Sequence, residues 1–113
     1  MTTFEELERG DVVWGTDPLS DKGRPMLVLA TPQFPSHGIQ LITVLTSTRT
    51  YHEESLPLRD RDYEGDSLGK RSHVLPWSLA TLNSATEVEF HMTSLVDERL
   101  DDVATQSIGY IAS

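Results

Sequence analysis

Apolar residues along the chain fall into short runs divided by turn-forming clusters, the pattern of a β-rich domain and not of a helical bundle. Val12-Val13-Trp14, introduced by Arg9-Gly10-Asp11, is the first strand expected, its β-branched and aromatic residues bounded by glycines. Thr16 to Gly23 is dense in turn formers and opens into Arg24-Pro25-Met26-Leu27-Val28-Leu29-Ala30, a second strand expected to begin at or just after Pro25, where the missing N–H costs no ladder bond. A loop from Thr31 to Gly38 precedes Ile39 to Thr46, the most strand-like segment present. Glu54-Ser55-Leu56-Pro57-Leu58 reads as a short edge strand because of its internal proline, and Arg59 to Lys70 as a polar loop.

Ser72 to Trp77 is a further short strand candidate that leads into Leu79-Ala80-Thr81-Leu82, a piece periodicity alone leaves unassigned. Glu87 to Met92 alternates charged and apolar residues, as a strand with one wet face does. The period then changes. Val96, Leu100, Val103, Ser107, Tyr110 and Ile111 recur at helical spacing, and Asp97, Glu98, Asp101 and Asp102 crowd the first turns, so an amphipathic helix is expected from Asp97 with Ser94 near its N-cap. A helical turn is also expected over Thr3 to Glu8. Strands first and a helix last, with no βαβ alternation, predict a mainly β fold with helices, a small antiparallel barrel or strongly bent sheet. The 113 residues carry no internal repeat or linker and read as one domain, 1–113.

Charge changes the picture of what such a domain binds. Nine Lys and Arg stand against eighteen Asp and Glu, a formal net charge of −9, which argues against a generic cation-coated nucleic-acid binder. Only Lys22 and Lys70 are lysines; acidic, arginine-biased composition without disorder suggests a halophile, since molar salt shortens the Debye length to ~3 Å and dense surface carboxylates then repel little. There is no cysteine, which removes disulfides, thiolate nucleophiles and cysteine metal sites. No apolar run is long enough to span a bilayer and the Met1 to Glu6 segment is acidic where a signal peptide is basic, so a cytoplasmic protein with no membrane partner is expected.

Conventional motifs are missing: no phosphate-binding glycine loop, no nucleophile elbow, and four histidines, His37, His52, His73 and His91, at spacings that make no metal pair. Neither a metal nor a cofactor is expected. What remains is positional. Arg24 stands where a turn-rich loop meets an apolar strand, which would hold a planar, permanently charged guanidinium near the sheet edge, suited to bridging phosphoryl oxygens. An ion pair with Asp17, Asp21 or another carboxylate is the more ordinary use of such a residue. The run Thr46-Ser47-Thr48-Arg49-Thr50 offers hydroxyls and a cation at a strand end, and equally reads as ordinary turn chemistry. Trp14 and Trp77 are core or interface residues before they are base-stacking platforms.

In order, Arg9-Gly10-Asp11-Val12, a loop with Asp17-Pro18, and Gly23-Arg24-Pro25 before an aliphatic strand resemble the opening of the PemK/MazF toxins of toxin–antitoxin systems. The likeness continues through Ile42 to Ser47, Leu56-Pro57-Leu58, Ser72 to Leu82 and the helix from Asp97, and so covers almost the whole chain in short pieces. The Gly15 to Gly23 loop is shorter than in well-known members, and Ser78 stands where many carry glutamine. The resemblance implies a CcdB/MazF-like, SH3-like bent sheet, a homodimer, a cognate antitoxin partner, and sequence-specific cleavage of single-stranded RNA without metal or cofactor, giving 2′,3′-cyclic phosphate and 5′-hydroxyl ends. Carried over by position, Arg24 is the catalytic arginine and Thr46 its partner. Lys22, Ser47, Arg49, Lys70, Arg71, Trp77 and Ser78 are the RNA-binding candidates. The alternative is a non-catalytic protein-binding module of the same fold, either a toxin acting on a protein or an inactive relative.

Overall fold

The computed structural model describes residues 7–18, 20–32, 40–49 and 52–112. The helical turn expected over Thr3 to Glu8, most of the loop after Thr31, and Thr50 lie outside them wholly or in part. Six strands form one antiparallel sheet: β1 Asp11–Thr16, β2 Gly23–Ala30, β3 Gln40–Ser47, β4 Leu56–Leu58, β5 Ser72–Asn83 and β6 Val88–Ser94, in the order β4-β5-β3-β2-β1-β6. A four-residue helix, α1 Ser84–Glu87, joins β5 to β6, and α2 Asp97–Ile111 ends the fold. The sheet is not closed, but its two ends are tied together. After β4, a 3-10 turn over Asp60–Asp62 brings Tyr63 to bridge Leu95; the Glu64 N–H donates to the Ser94 carbonyl and the Val96 N–H to that of Asp62. No helix among the described residues is long and apolar enough to cross a membrane.

The sheet buries both of its faces. Val12, Leu27, Leu29, Val44 and Val74 pack on one side beneath Leu100 and Val103 of α2, while Val13, Met26, Val28, Leu41 and Leu82 pack on the other with Leu7 and Val88. This explains the unbroken apolar runs of β1 and β2, since a strand covered on both sides has no reason to alternate. Pro57 sits in the edge strand β4, as its missing donor requires. β2 begins at Gly23, two residues before the expected start, because Thr16 of β1 pairs with Gly23 and Trp14 with Pro25. Gly23 is also where the Trp14 indole lies against the backbone; a Cβ there would overlap the ring.

The largest departure from the sequence reading is β5. It runs unbroken through the piece periodicity left unassigned, but it carries a bulge: Thr43 of β3 pairs with Ala80 and Leu45 with Leu75, so four residues, Pro76-Trp77-Ser78-Leu79, face Val44 alone. The Ser78 hydroxyl fills the gap in the ladder, accepting the Leu45 N–H at 2.8 Å and donating to the Leu75 carbonyl at 2.6 Å. From the other side, the buried Ser107 hydroxyl of α2 donates to the Pro76 carbonyl at 2.7 Å. Helix α2 starts as expected, but its N-cap is Val96 without a side-chain bond. Ser94 belongs to β6, where its hydroxyl donates instead to Asp11 at 2.7 Å. The apolar stripe of α2 is buried only as far as Ser107, and Tyr110 and Ile111 are exposed.

Candidate active site around Arg24

Arg24 is held by the loop before it. Asp17 knots that loop: its N–H donates to the Lys22 carbonyl, its own carbonyl accepts the N–H groups of Ser20 and Asp21, and its carboxylate accepts the Ser20 hydroxyl at 3.0 Å. The tight return puts Asp21 at φ 59°, a left-handed conformation that aspartate tolerates. Asp17 is 4% exposed, and its carboxylate lies 3.2 Å from Arg24 Nε. The ion pair that spacing made the ordinary expectation is therefore present, with a buried acid behind the arginine and the guanidinium one-third exposed. Lys22 stays in the exposed turn and Asp21 is exposed beside it.

Two cavities meet at Arg24. The first, about 720 Å³, is a broad and mainly apolar groove walled by Leu45, Leu75 and the bulge residues Trp77, Ser78 and Leu79. Trp77 is 40% exposed, and the His52 ring packs against it in a T-shaped pair with centroids 6.2 Å apart. The second, about 350 Å³, is lined by Pro25, Thr46, Ser47, Thr48, Arg49 and Ser72 as well as Arg24. It holds two cations and no acid among its lining residues. The structure thus brings Arg24, Thr46, Ser47 and Arg49 to one cavity, with Trp77 and Ser78 on the adjoining wall.

The hydroxyls there are already partly engaged. Thr46 is 3% exposed and its hydroxyl donates to the Pro25 carbonyl at 2.9 Å, so its lone pairs, not its proton, are what remain. Ser47 accepts the Arg49 N–H at 3.0 Å, and its proton has no acceptor among the described residues. Ser78 spends its proton and one acceptor site on the bulge. Lys70 and Arg71 are not in either cavity; they line a third one, while Ser72, the next residue in the chain, lines the second. Trp14 lies away from the groove, stacked on Phe90 of β6 with ring planes 1° apart and centroids 6.1 Å apart. Among the described residues no cluster of three His, Asp or Glu side chains is placed to hold a metal ion.

Sequence reasoning missed the bulge and its Leu79 wall. The signal was there: Pro76 inside an apolar run is compatible with an interior strand only at a bulge. It also treated Asp17 only as a competitor for Arg24, whereas the buried loop knot makes Asp17 its mount.

No family model matches the sequence, and no curated protein does. Solved structures are similar. A MazE–MazF crystal structure from Deinococcus radiodurans superposes with a TM-score of 0.69 at 17% identity, over 93% of this chain and 94% of that one. An endoribonuclease in complex with its cognate antitoxin, from a mycobacterial species, gives 0.69 at 17% identity over 94% and 95%. The Mycobacterium tuberculosis toxin MazF-mt6 gives 0.64 at 16% over 90% and 94%. With nearly the whole of each chain aligned at such low identity, the likeness lies in the fold, and the fold of this chain is that of the MazF toxins.

Proposed function

We propose that this chain is a toxin-type endoribonuclease that cleaves single-stranded RNA without a metal ion and is restrained by a cognate antitoxin. The observation that carries the reading is the setting of Arg24: a guanidinium fastened through Nε to a buried carboxylate, at the mouth of an acid-free cavity lined by hydroxyls. With Nε engaged, its terminal amino groups are the donors left to bridge two oxygens of one phosphate. Likeness of fold to an endoribonuclease bound to its antitoxin supports the same assignment.

In the reaction proposed, the RNA's own 2′-hydroxyl attacks the adjacent phosphorus. The O2′–P bond forms as water takes that hydroxyl's proton, and the P–O5′ bond breaks as water returns one to the 5′-oxygen, leaving a 2′,3′-cyclic phosphate and a 5′-hydroxyl. Negative charge builds on the phosphoryl oxygens in between, and a preorganised arginine stabilises it more than it stabilises the ground state. Thr46, its proton held by Pro25, orients the attacking group by accepting from it, while Ser47 keeps a proton for a phosphoryl oxygen. Trp77 offers a stacking surface for a neighbouring base along the groove. A homodimer of this chain is the assembly inferred.

The test is incubation of a long single-stranded RNA with wild type and Arg24→Ala, in EDTA, at dilute and at molar KCl, with both proteins shown folded by circular dichroism. Cyclic-phosphate-ended fragments from the wild type alone are expected. No cleavage at either salt, or equal cleavage by both proteins, overturns the assignment and leaves the protein-binding module.

A further inference from the structure

Three cations gather at a cavity beyond the Arg24 site. Arg59 follows β4, Lys70 and Arg71 precede β5, and together they line a space of about 340 Å³ with Tyr63, Ser67 and Asp60. Asp60 is the one acid among the lining residues, so this small cavity carries a net +2 in a chain of −9. None of the three cations has a carboxylate within ion-pair distance among the described residues, although the chain has two acids for every base. On its other side Arg59 borders a cavity where the balance is different: Arg59, Arg61 and Arg99 there face Asp62, Glu98 and Asp102, three against three.

Neutral donors accompany the charge. The Ser67 hydroxyl accepts the Gly69 N–H at 3.3 Å, and its proton has no acceptor among the described residues. Gly69 has φ +82°, a left-handed position that closes the loop ahead of Lys70. The Ser72 hydroxyl donates to the Lys70 carbonyl at 3.1 Å, and Ser72 also lines the Arg24–Arg49 cavity. Consecutive residues of the chain, Arg71 and Ser72, therefore line the two cavities.

We propose that the Arg59–Lys70–Arg71 cavity is a second phosphate site, which takes a backbone phosphate of the same RNA strand while another sits at Arg24. It rests on the endoribonuclease reading above and names where the substrate strand leaves the cleavage site. Along this route the strand meets cations although the protein as a whole is strongly acidic.

The test uses Arg59→Gln/Lys70→Gln/Arg71→Gln, with single Lys70→Gln as a milder variant and circular dichroism to confirm both fold. Binding of a 2′-O-methyl, uncleavable 16-nucleotide strand is followed by anisotropy over a KCl series. The slope of log affinity against log salt is expected to fall by about 0.7 in the triple variant, the share of one lost phosphate contact, and by less in the single one. Cleavage of a long RNA is expected to drop about tenfold or more at low salt, while a tetranucleotide too short to reach both sites is cleaved at the wild-type rate. Unchanged slopes with cleavage intact overturn the second site and leave the endoribonuclease standing. Loss on long and short RNA alike also overturns it, and a wild type that binds no RNA at any salt removes both readings.

Discussion

Arg24 and Arg99 each lie beside a buried aspartate, and they differ in what surrounds the rest of the guanidinium. Arg99, on the first turn of α2, has Nη2 donating to the Pro57 carbonyl of β4, Nη1 at 3.2 Å from Asp102 and Nε at 3.6 Å from Asp62; its side chain is 19% exposed. Asp62 in turn accepts the Arg59 N–H at 2.8 Å. These bonds fasten helix, edge strand and 3-10 turn to one another. Arg24 uses Nε alone on its aspartate among the described residues and is about twice as open. An arginine with both terminal nitrogens engaged serves the fold, and one held through Nε alone beside an acid-free cavity is set to receive an anion.

Substitutions of the two arginines should therefore separate activity from stability. Arg24→Lys, which keeps a cation facing the buried Asp17 carboxylate but not the paired terminal donors, is expected to lower RNA cleavage by about 100- to 1000-fold, the usual loss for a transition-state donor, with the urea midpoint little changed. Arg99→Ala should do the reverse, costing about 2–3 kcal/mol in urea unfolding while the folded fraction cleaves at the wild-type rate. Equal destabilisation by both would erase the distinction. Ser78→Ala tests the groove wall: it orphans the Leu45 N–H and is expected to cost about 1–2 kcal/mol, with Trp77 fluorescence altered.

The smallest effect concerns Tyr63, close to the Arg99 turn. Burial pushes its phenol above the usual value, and Asp62 and Asp60 add to the rise against the Leu68 backbone bond that lowers it. Because the folded value is the higher one, the stabilisation is whole below about pH 10, the unfolded value. It is lost as pH rises through the raised value. A Tyr63→Phe protein should lose less stability on that alkaline limb than the wild type, as read from urea midpoints at successive pH values.

How far the sequence could be read depended on whether each segment had one rule to obey. β1 to β3 were legible because both of their faces are buried and their apolar runs allow few other readings. β4 was legible from Pro57, and α2 from its spacing. α1 was missed because four residues leave no period, although Asn83 caps it by accepting the Ala85 N–H and Glu87 accepts the Asn83 N–H. Ser94 looked like a cap and is not one, since Asp11, far away in sequence, claims its hydroxyl. Of the candidate site, Arg24 and Thr46 were picked out by position and by a resemblance, and the fold brings both to one cavity. The separation of Lys70 and Arg71 into their own cavity needed the return of β5 past Leu58, which no local pattern encodes.

The bulge in β5 also bears on how such a chain can change over time. Thr46 and Leu41, five residues apart on β3, pair with Val74 and Leu82, eight apart on β5, and Val74 and Leu82 pack into opposite cores. Taking out the three surplus residues would give a regular ladder and leave both side chains on the faces they now occupy. The cores therefore do not demand the extra length, and Trp77 stands on a segment whose size can vary without repacking either one. A lineage can remodel the wall of its groove there, by insertion or deletion as well as by substitution, while the rest of the fold stays as it is.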